Sequence, residues 1–165
     1  MKKQIILLNG PSSSGKSTLA KALQNRIGST LGLLYEVVSI DDFLPMTAED
    51  PIYEDDVFAI SADLCNKVSE TLQTAPGVII DHVITSQRIY EQLVENLGAY
   101  GIFTVRVTCP VEILRVRELA RKNRCLGSAE ASQIYLYPQD GYDLTVNTHE
   151  MTPEECANLI CKSLF

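Results

Sequence analysis

Three groups of residues in this chain have types and spacings suited to chemistry. The first is Gly10-Pro11-Ser12-Ser13-Ser14-Gly15-Lys16-Ser17-Thr18, which fits the pattern G-x-x-x-x-G-K-[ST]. Two glycines let a backbone curl until successive N–H groups point inward, and a following helix turns its positive end toward an anion. Lys16 adds a cation for the β- and γ-phosphates of a nucleotide, and the Ser17 hydroxyl suits Mg²⁺. The second group is acidic. Asp41 and Asp42 close one apolar run, and Asp81 closes another, Gly77-Val78-Ile79-Ile80. Phosphoryl transfer to a hydroxyl needs a carboxylate to take the proton, a role expected of Asp41, with Asp42 as a capping residue. Asp81 stands where an acid holds Mg²⁺ directly or through water, and His82 beside it is expected at the rim or in the structure. The third group is basic. Residues 115–124 carry four arginines and a lysine, and Arg117, Arg121 and Arg124, spaced four and three, are expected to line one helical face. Arginine forks suit phosphate oxygens and stabilise transferring charge.

The elements that must position these groups alternate along the chain. Apolar runs at Ile5–Leu8, Leu34–Ile40, Val78–Ile80, Ile102–Val107 and Leu144–Val146 read as strands. Between them, residues 15–27, 57–74, 86–97 and a stretch opened by Pro110 as a first-turn proline read as helices. Thr152-Pro153-Glu154-Glu155 has capping-box spacing and starts a last helix. Strands of uninterrupted Val, Ile and Leu are buried on both faces, which implies an α/β fold with a parallel sheet covered on two sides. Ligands in such sheets bind beyond the carboxyl ends of the strands, where all three groups fall. Residues 125–140 read as a loop. With the arginines they are expected to form a lid, roughly 115–140, that closes over the nucleotide and keeps water out.

Composition narrows the partners. The 165 residues make one domain, 1–165, with 14 Lys plus Arg against 21 Asp plus Glu and a net charge of −7. Such a surface repels nucleic acid and anionic lipid. No run reaches transmembrane length and the short apolar start is no signal peptide, so a cytoplasmic location is expected. Five cysteines without a Cys-x-x-Cys pair, and two isolated histidines, predict free thiols rather than disulfides or zinc.

Several motifs, in order, resemble the chloramphenicol phosphotransferase-like family of P-loop kinases. They are Ile5 through Ser17, Asp41-Asp42-Phe43, Ile79-Ile80-Asp81-His82-Val83, Arg117-Glu118-x-Ala120-Arg121-x-x-Arg124, Tyr142-Asp143-Leu144-x-Val146-Asn147-Thr148 and Pro153-Glu154-Glu155-Cys156-Ala157. The resemblance implies a P-loop nucleoside-triphosphate hydrolase fold of the nucleotide-kinase type, with five parallel strands. It implies transfer of the γ-phosphoryl of ATP, with Mg²⁺, to a hydroxyl of a small acceptor, chloramphenicol in the founding member. By residue it implies a base at Asp41, phosphate binding at Lys16, Mg²⁺ at Ser17 and lid contacts from Arg121 and Arg124. Tyr137 stands where the family often has histidine, Asn147 replaces an aspartate, and residues 43–59 are the least similar. The acceptor therefore stays open, with a shikimate-kinase-like or zeta-toxin-like metabolite or nucleotide-sugar kinase as the alternative. A nucleotide-binding regulator without turnover is the reading from another class.

Overall fold

The structure, a computed structural model, describes residues 4–44 and 47–165. Five parallel strands form one sheet: β1 (Ile5–Asn9), β2 (Glu36–Ser39), β3 (Val78–His82), β4 (Ile102–Thr108) and β5 (Leu144–Asn147). Their order across the sheet is β2-β3-β1-β4-β5. β1 is central, paired in register with β3 (Ile5 beside Val78) and with β4 (Ile5 beside Ile102). All ten residues of β1 and β3 are buried because helices cover both faces. The pleat sends Ile6 and Leu8 to one face, where α1 (Lys16–Leu31) and α6 (Pro153–Leu164) pack, and Ile5 and Leu7 to the other, against α2 (Glu54–Thr71) and α3 (Gln87–Leu97). Two further helices, α4 (Val111–Arg121) and α5 (Ser128–Ile134), enclose a small cluster of Cys109, Leu114 and Ala129 outside these layers.

Helix ends follow their local chemistry. α1 runs one turn past its expected end and stops at Gly32, whose φ of 67° suits glycine. At α6 Thr152 Oγ1 accepts from the Glu155 N–H while the Glu155 carboxylate accepts from the Thr152 N–H, the reciprocal cap expected from the sequence. α2 starts three residues before its expected position, with Glu54, Asp55 and Asp56 in the first turn, where carboxylates favour the positive helix end. Pro110 lies just outside α4 as its N-cap instead of in the first turn. Residues 125–140, expected as loop, contain α5. Its amino end is capped from a distance, since the buried Glu118 carboxylate accepts from the N–H groups of Gly127 and Ala129 at 3.0 and 2.8 Å. Among the described residues all five cysteines are free, and four are buried. No described helix is long and apolar enough to cross a membrane.

Gly77, which leads into β3, is required by packing. A Cβ there would lie 2.2 Å from Cζ of the fully buried Tyr35 ring. Gly77→Ala should therefore lower the unfolding free energy by about 2–3 kcal/mol, the scale of core overpacking, as read from urea midpoints. A loss below about 0.5 kcal/mol would mean that the Tyr35 ring moves aside freely.

Candidate phosphate and acceptor site

β1 ends in the middle of the sheet, and the chain must turn there before α1. Gly10 is needed for proximity rather than dihedral freedom, because a Cβ would meet the Val107 carbonyl oxygen of β4 at 2.4 Å. The curl itself comes from Ser13 (φ 66°) and Gly15 (φ 89°), both left-handed, the kind of backbone that forms anion-binding concavities. Lys16 opens α1 and is buried at the loop's mouth, its Nζ donating to the Pro11 carbonyl at 2.8 Å. Burial pushes its ammonium below the usual lysine range. Asp81 and Asp41 pull it back up, and Arg121 and Arg124 add to the lowering. Ser17 Oγ donates to Asp81 Oδ2 at 2.6 Å, and Ser39 Oγ donates to the same oxygen at 3.3 Å. A serine hydroxyl and a carboxylate thus meet as two hard oxygen donors, a set that suits Mg²⁺ completed by water and phosphate.

Adjacent Asp41 and Asp42 go to different tasks. β2 is shorter than the apolar run suggested, and Ile40–Asp42 form a 3₁₀ turn. Ser39 caps that turn by accepting from the Asp41 N–H, and the Asp42 carboxylate accepts from the Ser39 N–H at 3.4 Å. Asp41 instead lines the cavity, and its Oδ2 accepts from Arg124 Nη2 at 3.0 Å.

The arginines converge, but not along one helix. α4 ends at Arg121, Lys122 takes a left-handed φ of 58°, and Arg124 lies beyond the turn. The expectation of a single helical stripe through Arg124 is therefore corrected: Arg124 arrives by a change of chain direction. Arg121 Nη1 donates to Ser13 Oγ at 3.4 Å. Arg117 donates to Thr148 Oγ1 and to the Thr148 carbonyl at 3.1 and 3.2 Å, beside Gly15. Arg124 is 8% exposed, its Nε has no described partner, and burial followed by Arg121 lowers its pKa. Ser12, Ser13, Gly15, Lys16, Ser17, Thr18, Asp41, Asp81 and the three arginines all face one cavity of about 1160 Å³. Gly10 and the buried Ser14 are not on its wall.

Several residues that serve this geometry had no role assigned from sequence. Thr148 Oγ1 donates to the Ser14 carbonyl at 2.6 Å, tying the end of β5 to the phosphate loop. Ser132 Oγ of α5 accepts from the Ser12 N–H at 2.9 Å. The buried Asn9 side chain donates to the Tyr137 carbonyl and to Tyr142 Oη of the α5–β5 connection, and accepts from the Ile84 N–H after β3. Thr148 and Asn9 lie inside recognisable motifs, but motif membership does not reveal a partner. Nothing in the local sequence distinguishes Ser132.

A parallel sheet of this order, with a phosphate loop at its central strand, is the fold of P-loop kinases. Solved structures agree. The Mycobacterium tuberculosis APS kinase CysC in complex with AMPPNP and APS superposes with a TM-score of 0.73, at 18% identity over 99% of this chain and 98% of that one. The tunicamycin resistance protein of Deinococcus radiodurans gives 0.68 at 17% identity over 99% and 96%. Shikimate kinase from Acinetobacter baumannii in complex with shikimate gives 0.60 at 19% over 97% and 92%. In sequence the chain is 29% identical over 169 residues to a shikimate kinase of Thermobifida fusca (strain YX), covering 98% of this chain and 95% of the relative. Residues 3–165 match the model of the chloramphenicol phosphotransferase-like proteins, and the chain belongs to that family.

His82 carries a pH prediction. It is fully buried at the end of β3, 3.4 Å from Ser61 Oγ, and burial lowers its pKa to about 4. An imidazole kept neutral in the fold but free to charge when unfolded gives stability that is present above pH 6.5 and lost as the pH falls toward 4, by about 3 kcal/mol. Glu54, held at about 2 mainly by Arg88, loses its contribution only below pH 4.5. Urea unfolding at stepped pH should show this slope in the native chain, and His82→Gln should flatten it between pH 6.5 and 4.5. Equal slopes would place the proton uptake elsewhere.

Proposed function

We propose that this protein is an ATP- and Mg²⁺-dependent small-molecule kinase that moves the γ-phosphoryl of ATP to a hydroxyl of its acceptor. The observation that carries this reading is the strand-end carboxylate of Asp41 facing the same cavity as the buried Lys16 ammonium, with Arg124 between the two tasks. The phosphate loop holds the nucleotide, with Lys16 at the β- and γ-phosphates and Gly15, Thr18, Arg117 and Thr148 toward the base. Ser17 and Asp81 would hold Mg²⁺, which when bound neutralises charge between the phosphates. The acceptor hydroxyl gives its proton to Asp41 as its oxygen bonds the γ-phosphorus, and the bond from that phosphorus to the ADP oxygen breaks. Arg121 and Arg124 stabilise the charge on the transferring group.

The α4–α5 arm acts as a lid in this reading. Arg124 pairs with Asp41 and stands within the same cavity as the phosphate loop, so it can turn from the carboxylate to phosphoryl oxygens as the arm keeps water out. The antibiotic-type alcohol of the family is the leading acceptor class. A shikimate-kinase-like metabolite acceptor is the second, supported by the Thermobifida fusca relative.

Mass spectrometry of a hydroxyl-bearing panel (chloramphenicol, shikimate, sugars, nucleosides and nucleotide-sugars) after incubation with Mg²⁺-ATP tests the reading. One member should gain a phosphoryl group. Asp41→Asn should cut that transfer at least about a hundredfold while calorimetry shows ATP still bound. Lys16→Ala should weaken ATP binding itself. Full transfer by Asp41→Asn would remove Asp41 as the base, and no product from any acceptor would favour a nucleotide-binding regulator.

A further inference from the structure

The cavity is divided by charge. Its cations all come from the phosphate loop and the α4 segment, and each has a partner: Lys16 on the Pro11 carbonyl, Arg117 on Thr148, Arg121 on Ser13 and Arg124 on Asp41. The opposite wall is built by residues between Ile40 and Val57, which follow β2, and by Val83 and Thr85, which follow β3. In the sheet β2 and β3 lie on one side of β1, and β4 and β5 on the other. That wall therefore adjoins Asp41 and stands away from Arg117 and Thr148, where the nucleotide base would go.

This wall is apolar, formed by Leu44, Ile52, Val57 and Val83, with Leu126 reaching in from the α4–α5 connection. Cys125 Sγ sits 3.3 Å from the Ala48 carbonyl oxygen, which keeps Leu126 next to it. The charged groups of the wall are Asp50 and Glu54. Residues 41–56 contain seven acids and no Lys, Arg or His. Two arginines reach this segment: Arg124, on Asp41, and Arg88, which pairs with Glu54 and Asp55, lies 4.1 Å over the Phe58 ring, and does not line the cavity. Glu54 is thereby neutralised. Asp50, a solvent-exposed residue on the cavity's lining, has only the neutral Thr47 as its described side-chain partner and no described cation beside it.

Resting on the kinase reading above, we infer that the acceptor is an amphipathic alcohol bearing a positive charge, an amino alcohol with a hydrocarbon body. The hydroxyl meets Asp41, the hydrocarbon lies against Leu44, Ile52 and Val57, and the protonated amine faces Asp50. An anionic alcohol would give up its hydration at this wall and find no free cation among the described residues, because the arginines beyond it are engaged by phosphate and Asp41. Transfer balances as described above, and the amine keeps its proton throughout.

The test uses three alcohols with one shared phenylpropyl body, bearing an ammonium, a neutral group or a carboxylate at the same carbon. Transfer from Mg²⁺-ATP is read as kcat/KM, and binding is read by calorimetry with a non-hydrolysable ATP analogue. The ammonium compound should exceed the neutral one about fivefold, and the carboxylate should fall at least about fivefold below it, the scale of a partly exposed charge pair. High salt should compress the ammonium preference. Asp50→Asn should bring the ammonium-to-neutral ratio to about one, and Asp50→Lys should invert it. The inference is overturned if the carboxylate is preferred, if the neutral compound equals the ammonium one, or if Asp50→Asn leaves their ratio unchanged. In each of those cases transfer itself keeps the kinase reading intact. Binding and transfer by none of the three also overturns the inference, and the kinase reading falls with it only if the wider panel is barren too.

Discussion

Everything at this site is arranged around one buried ammonium. Lys16 lies at the mouth of the phosphate loop with little access to water, and a charge in that position is costly unless opposite charges are near. The sheet supplies them from neighbouring strand ends, Asp81 from β3 and Asp41 from the turn after β2. The α4 arm then adds Arg121 and Arg124, which oppose Lys16. The three cations of this group, Lys16, Arg121 and Arg124, against the two carboxylates Asp41 and Asp81 favour the arrival of an anion whose oxygens can satisfy all three. A triphosphate carries the charge to meet that demand, and Arg124 also pairs directly with Asp41.

The central sheet and the α4–α5 arm are held by different kinds of contact. β1 and β3 are buried on both faces, so the strand ends bearing the loop, Asp81 and His82 are fixed by two hydrophobic layers. Asn9 extends this rigidity past the strand ends by bonding at once to Ile84, after β3, and to Tyr137 and Tyr142 of the α5–β5 connection. The α4–α5 arm has only a small apolar cluster of its own. It is held by polar contacts: Glu118 on the amino end of α5, Ser132 on Ser12, Arg121 on Ser13 and Arg124 on Asp41. A few polar contacts open at lower free energy than a packed core, which does not rearrange in parts.

Much of this was legible in the residues because the signals are local. A four-residue apolar run such as Ile5–Leu8, closed by Asn-Gly, reads as a strand covered on both sides, and Gly-Lys-Ser after such a run reads as the start of a helix facing an anion. The reciprocal cap at Thr152 and Glu155 is written in four consecutive residues. That Asp41 and Asp42 part is also expected from their adjacency, but that expectation assumes an extended segment, whereas the two stand in a 3₁₀ turn whose Ser39 cap takes up Asp42.

The sequence by itself thus determined the layered sheet, the phosphate loop and the chemical types gathered at the strand ends. Tertiary structure decided what each of them touches. It placed Arg124 beyond the end of α4, where the left-handed turn at Lys122 redirects the chain toward Asp41. It made Gly10 a requirement of the β4 backbone and Gly77 a requirement of the Tyr35 ring. It also made the Glu118 carboxylate the buried cap on the amino end of α5. Each of these depends on groups far apart in the chain meeting at hydrogen-bond or van der Waals distance. Periodicity and motif spacing describe neighbours along the backbone, and only the packed fold fixes the neighbours across it.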